Sequence, residues 1–205
     1  MEQFYYAIIR ISYVLLTISL IIAISKYNST TKNEKWYIYY IIFIFFIELT
    51  SYIISFTETK NNSFMYPVYI AGEFFTVTGI FIKKLSLSKY SFIATGILTL
   101  FFLTADRFLI QYNNDYSKAI SNLIMISLIA YSLIQNIKVI IGQNRFLLLD
   151  KMFFFYFLIS VFIFLLQSQL ISFPIETFYN IWIINNIMVV ILYTIIIKTF
   201  LSLKK

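Results

Sequence analysis

The chain has 205 residues, of which 60% are hydrophobic and 20% aromatic, while only 12% are charged. Soluble domains average about 45–50% apolar and about 25% charged residues, so a soluble core could not hide this much apolar surface. The absence of cysteine and histidine excludes disulfides, thiolate nucleophiles, imidazole bases and the usual zinc sites. The composition therefore predicts one transmembrane domain, covering residues 1–205, with no cofactor, no metal site and no separate soluble domain.

Seven apolar runs are each long enough to cross a hydrocarbon core about 30 Å thick. They lie near residues 4–24, 36–56, 64–82, 90–110, 116–137, 152–170 and 177–201. The runs are continuous rather than alternating, which favours helices over a transmembrane β-barrel. Short polar connections predict that most sequence neighbours pack antiparallel. The expected fold is all-α, a polytopic transmembrane bundle of about seven spanning helices.

The basic residues predict an orientation, because short loops rich in lysine and arginine stay in the cytoplasm. Three basic residues, Lys60, Arg107 and Lys118, fall on one side of the membrane, and Arg10 lies within the first run. The other side carries twelve: Lys26, Lys32, Lys35, Lys83, Lys84, Lys89, Lys138, Arg145, Lys151, Lys198, Lys204 and Lys205. We therefore expect the N-terminus outside and the C-terminus in the cytoplasm.

The net charge of +7 is explained by this topology and by contact with anionic lipid headgroups, so no nucleic-acid partner is expected. The excess of Ile, Phe, Tyr, Asn and Lys over Ala, Gly and Pro is typical of AT-rich bacterial genes. The predicted location is the bacterial inner membrane, and the lipid bilayer is the first predicted partner.

Two acidic residues lie deep within predicted spans. Glu48 and Glu73 are each about nine residues from the outer ends of the second and third helices, which places both carboxyls roughly 13 Å below the outer surface. Arg10, on the first helix, is the obvious counter-charge for either acid. Such a cluster marks either a functional site or a structural ion cluster that fixes helix register, and the sequence leaves both readings open.

Further polar side chains share the outer half of the predicted bundle. This asymmetry predicts a polar cup open to the periplasm rather than a pore, because the inner half is more apolar. Each amide taken singly is more readily explained as interhelical hydrogen bonding. Gly72 and Gly79 on the third helix predict close helix packing. The predicted ligand-binding or charge cluster comprises Arg10, Tyr13, Glu48, Tyr69, Glu73, Asn122, Gln167, Asn185 and Asn186.

The last two helices carry a family resemblance. Asp150 and Lys151 open an aromatic sixth helix, and the seventh contains Trp182, Asn185, Asn186, Leu192, Tyr193 and Lys198. In these residues the chain resembles a group of small seven-helix membrane proteins from Bacteroidota, over about a quarter of its length. The resemblance implies a sensor-type membrane module of unassigned activity, and it implies no catalytic residue.

Four functions fit these observations. The first is a ligand-binding or signalling module that takes a small periplasmic ligand into the cup. The second is a transporter or proton-coupled subunit that uses Glu48 and Glu73, and the third is an accessory subunit bound to other membrane proteins. The fourth is an intramembrane lipid-acting enzyme with the two glutamates as acid and base, which the missing histidine and cysteine disfavour. If the site is functional, Glu73→Gln is expected to alter function with modest loss of stability.

Overall fold

The computed structural model describes residues 1–54, 63–108, 113–138, 144–170 and 172–203, without the side chain of Ser168. These residues form helices joined by short connections, and no strand occurs among them. A single 3-10 turn, Tyr27–Ser29, follows the first helix. The helices are α1 (Glu2–Ser25), α2 (Lys35–Ile54), α3 (Met65–Lys84), α4 (Lys89–Phe108), α5 (Asn114–Lys138), α6 (Leu147–Leu165), α7 (Gln167–Leu170) and α8 (Ile175–Leu201).

Seven of these helices, α1 to α6 and α8, are long and apolar enough to cross a membrane. The predicted all-α transmembrane bundle is therefore confirmed, and the chain is an integral, multi-pass membrane protein. Isoleucine and phenylalanine favour strands in water, yet here they form helices, because a helix satisfies every backbone polar group within its own segment when no water is available.

The sixth predicted helix, 152–170, differs most from the observed element. It begins at Leu147 and ends at Leu165, and the separate turn α7 follows it. The first turn of this helix can contain Asp150 because the carboxylate is buried against a lysine of α3, described below. The ends predicted at 55–56 and 109–110 lie outside the described residues.

The helices form a closed ring with one helix outside it. Proceeding around the ring, α1 packs on α2, α2 on α3, α3 on α5, α5 on α6, α6 on α8, and α8 returns to α1. Helix α4 packs chiefly against the outer side of α3. Its face of Ile93, Ile97 and Leu100 is more than half exposed, as expected for side chains that contact lipid tails.

The contact between α2 and α3 depends on glycine. The ring of Phe43 lies against Gly72, and the ring of Trp36 lies against Gly79, so closely that a Cβ atom at either glycine would overlap the ring. This bears out the close packing predicted for the third helix, and it brings Glu48 of α2 and Glu73 of α3 to the same cavity.

The two ends of the bundle differ in character. At the end named here the basic end, α1, α3, α5 and α8 finish and α2, α4 and α6 begin. The Lys26 ammonium there donates 2.8 Å to the carbonyl of Leu203, which joins the end of α1 to the residues that follow α8. At the other end, named the cavity end, Tyr5 of α1 packs against Tyr179 of α8, with ring centroids 5.3 Å apart.

Candidate functional site

A cavity of about 510 Å³ lies inside the ring, between α1, α2, α3, α6 and α8. It extends from Ser63 and Met65 at the cavity end down to Leu16, Tyr40 and Tyr193. The ring topology explains its position, because six helices around one axis leave space where their side chains do not meet. The cavity begins at the end of the bundle where the sequence predicts a polar cup, and it extends past the middle of the helices to Tyr40, in the part of α2 nearer its start.

Six of the nine predicted site residues line this cavity: Tyr13, Glu48, Tyr69, Glu73, Asn185 and Asn186. Arg10 lies instead in a neighbouring groove. Asn122 and Gln167 are not among the residues that line the cavity. The Asn122 amide donates 2.9 Å to the Ser160 hydroxyl across the α5–α6 contact, as expected of interhelical hydrogen bonding.

Glu73 is paired with Lys118 rather than with the expected Arg10. Both side chains are about 1% exposed, and the Lys118 ammonium contacts the Glu73 carboxylate directly. The hydroxyl of Tyr69 donates to the same carboxylate at 3.0 Å, and the Lys118 ammonium lies 4.3 Å from the centroid of the Tyr69 ring. Glu73 is therefore a neutralised, hydrogen-bonded group at the wall of the cavity.

The sequence counts Lys118 among the three basic residues of the outer side, near the start of the fifth helix, and does not predict that it is buried. Lys118 lies one turn inside α5 and is fully buried. A signal for this was present, because Lys118, Asn122 and Met125 recur at helical spacing on the face of α5 that the structure buries. Without Lys118, the side predicted to be outside carries even fewer basic residues.

Arg10 is exposed on α1 and makes no ion pair with any acid in the described ranges. It lines a groove of about 690 Å³ between α1 and α2, together with Tyr6, Thr17 and Tyr52. This groove adjoins the cavity, since Tyr13 and Glu48 line both. The expected counter-charge therefore lies at the outer surface of the ring.

Glu48 is the cavity acid that has no cationic partner among the described side chains. It is half-buried on α2, and its described side-chain neighbour is the hydroxyl of Tyr13 on α1. A carboxyl that faces a cavity and forms no ion pair remains available to an incoming donor or cation, although Arg10 lies in the groove that Glu48 also lines. Of the two predicted acids, Glu48 is the one whose bonding is not completed by the protein.

Tyrosines form most of the remaining polar wall. Tyr69 and Tyr156 bring their hydroxyls to 3.4 Å of each other, and Tyr66 donates 3.1 Å to Asp115. Beside them, the Oδ1 atom of Asn185 and the Nε1 atom of Trp182 are buried without a hydrogen-bond partner in the described structure. The predicted site did not include five tyrosine and tryptophan residues that line the cavity: Tyr40, Tyr66, Tyr156, Trp182 and Tyr193.

A second buried charge cluster lies at the basic end and was not predicted. Asp150 is fully buried and contacts the ammonium of Lys84. The Tyr37 hydroxyl donates to its carboxylate at 2.5 Å, and the Asn144 amide does so at 3.1 Å. Tyr37 in turn stacks on Phe146, with ring centroids 4.4 Å apart. Both oxygens of the Asp150 carboxylate have partners, so this cluster has a structural role, which is to join α2, α3 and α6.

An exposed ion pair covers the basic end. The Arg145 guanidinium contacts the Glu34 carboxylate at 2.7 Å in the connection before α2. Burial raises the pKa of Glu34, but the Thr31 backbone N–H and Arg145 outweigh it, so the pKa lies below its usual value. The pair is therefore ionised near neutral pH, and since it is partly exposed its contribution to stability is small.

Neither a metal site among the described residues nor a similar protein indicates what the cavity binds. Over the described parts of the chain, no three acidic side chains come close enough together to hold a metal ion. No family model, curated protein or solved structure matches the chain. The cavity and the chemistry of its walls are therefore the basis for any functional proposal.

Proposed function

We propose that the protein is a membrane-embedded ligand-binding module, whose cavity takes up a small molecule from the periplasmic side. The observation that carries this proposal is the cavity itself. Its volume of about 510 Å³ is within the usual range for small-molecule sites, and its largely apolar walls carry carboxyl, hydroxyl and amide groups at a depth where lipid-facing helices are apolar. An acid that forms no ion pair and a buried amide oxygen without a hydrogen-bond partner in the described structure line it, and both can bind a ligand.

In this proposal, the position of the cavity lets ligand binding act as a signal. Five of the six ring helices contribute to its lining, so a ligand that contacts opposite walls changes the packing of the whole ring. The same helices meet at the basic end, where Lys26 and Lys84 make contacts between elements. A partner protein bound at that end would respond to the change in helix packing.

A proton-coupled transporter is the second candidate, and one observation bears on it. A proton shared by Glu48 and Glu73 would need both acids free to exchange it, but Glu73 is bound to Lys118. Glu48 would then have to carry the proton alone. Binding without transport therefore requires fewer changes to the described contacts.

The absence of cysteine gives a direct test of the proposal. Single cysteines would be introduced at Ser51, which lines the cavity, and at Ser160, which is buried in the α5–α6 contact. The rates of modification by two membrane-impermeant reagents, the anionic 2-sulfonatoethyl methanethiosulfonate and the cationic 2-trimethylammonioethyl methanethiosulfonate, would be measured on purified protein. Ser51→Cys should react and Ser160→Cys should not. If both cysteines are equally unreactive, the cavity is not open to water and the proposal fails.

A further inference from the structure

We propose that the cavity selects small organic cations, with an ammonium group held at Glu48 and an apolar or aromatic body held between the tyrosines. This inference rests on the proposed ligand-binding function and adds the chemical class of the ligand. It is argued from the charge of the walls, their aromatic faces and the unpaired acceptor beside them.

The charge of the cavity is acidic. Its lining includes two carboxylates and no lysine or arginine among the described residues. Lys118 lies behind Glu73 and neutralises it, whereas Glu48 forms no ion pair with a described lysine or arginine, and Arg10 lies in the adjoining groove rather than in the cavity. In a site with low-dielectric walls, an acid that forms no ion pair attracts cations and repels anions.

The aromatic walls suit the same ligand. The face of a tyrosine or tryptophan ring is electron-rich and attracts ammonium groups within about 6 Å of its centroid. The protein already uses this chemistry, because the Lys118 ammonium sits between the Glu73 carboxylate and the Tyr69 ring. Glu48 contributes a second acid to the same cavity, beside the hydroxyl of Tyr13 and with no lysine in the lining, and the rings of Tyr40, Tyr69 and Tyr193 also line this cavity.

The unpaired amide is the third observation. Asn185 is 8% exposed, lines the cavity and has an Oδ1 atom without a hydrogen-bond partner in the described structure. Oδ1 accepts hydrogen bonds, so it complements an N–H donor on the ligand. A buried acceptor left unpaired destabilises the empty cavity, and a ligand donor would remove that cost. Glu48 and Asn185 thus present acceptors from α2 and α8, on different walls of one cavity.

The test compares two thiol reagents of opposite charge at Ser51→Cys. The cationic reagent is 2-trimethylammonioethyl methanethiosulfonate, and the anionic reagent is 2-sulfonatoethyl methanethiosulfonate. Their rate ratio is divided by the ratio for free 2-mercaptoethanol. We expect the cationic reagent to be favoured by about tenfold, because acidic clefts concentrate cations. Glu48→Gln should remove most of this preference, whereas Glu176→Gln, at an exposed acid of the same membrane end, should leave it unchanged.

Competition gives a second measurement that does not depend on Glu48→Gln folding. Phenethylammonium should slow the modification of Ser51→Cys, and the neutral 2-phenylethanol should not. Equal reaction with both reagents, or equal protection by both competitors, would overturn the selection of cations while leaving an open binding cavity. Failure of Ser51→Cys to react with either reagent would instead overturn the proposed function itself.

Discussion

The Glu73–Lys118 pair changes what each buried acid is expected to do. Removing one member of a buried ion pair costs about 3–5 kcal/mol, because the remaining charge is left without a partner in a low-dielectric site. Glu73 is therefore a structural residue at the wall of the cavity, and Glu48 is the acid available to a ligand. The modest loss of stability that the sequence suggests for Glu73→Gln does not fit this pairing.

Glu73→Gln should destabilise the protein strongly, and Glu48→Gln should not. The double variant Glu73→Gln/Lys118→Met should recover most of the loss, since it removes both charges and keeps the volume of the lysine stem. Thermal unfolding of the purified variants in detergent measures all three. A double variant as unstable as Glu73→Gln alone would show that the ion pair is not the cause.

The turn after α3 provides a second residue-scale prediction. Ser86 adopts a φ of 52°, a left-handed conformation that glycine adopts without a steric penalty. Its N–H bonds to the carbonyl of Lys83, and the N–H of Leu87 bonds to that of Ile82, which is the Schellman pattern of a helix end. Ser86→Gly should therefore stabilise the protein by roughly 0.5–1 kcal/mol.

The matched control for this turn is Ser86→Ala, which keeps the Cβ atom and should give no gain. The melting temperatures of the two variants, measured side by side, decide the matter. A lower melting temperature for Ser86→Gly than for Ser86→Ala would contradict the role assigned to the left-handed conformation.

At the scale of elements, the sequence predicted the helices well and their partners less well. Length and hydropathy suffice for seven spans, because only helices or closed barrels satisfy the backbone in lipid. They do not distinguish α3, which is largely buried, from α4, which packs outside the ring. The burial of Lys118 was not predicted for a related reason, since it depends on direct contact between α3 and α5.

The glycines of α3 test the packing of α2 against it. Gly72→Ala would place a Cβ atom into the ring of Phe43, and we expect it to destabilise the protein by about 1–3 kcal/mol, as overpacking usually does. Gly96→Ala on α4 is the matched control, because nothing lies within 4 Å of its added Cβ atom. Unfolding of both variants should show a loss only for Gly72→Ala. An equal loss for both would point to helix backbone effects instead.

At the scale of the whole molecule, the ring explains why the site was predicted only in part. Depth along a helix can be counted from the sequence, and this brought Glu48 and Glu73 to one level. The direction in which each side chain points depends on which helices are neighbours, and sequence spacing does not contain that information. Arg10 was therefore predicted to lie inside the bundle, and the predicted site did not include Tyr156 and Tyr193, which line the cavity.

Orientation in the membrane is the remaining prediction, and it sets which compartment the cavity faces. The excess of lysine and arginine at the basic end predicts that this end lies in the cytoplasm. In spheroplasts, a membrane-impermeant thiol reagent should modify Ser63→Cys at the cavity end, whereas Ser88→Cys, in the exposed turn before α4, should react only after permeabilisation. Both cysteines should react alike in detergent, which controls for local burial. The reverse pattern would turn the cavity toward the cytoplasm, and the ligand would then have to come from inside the cell.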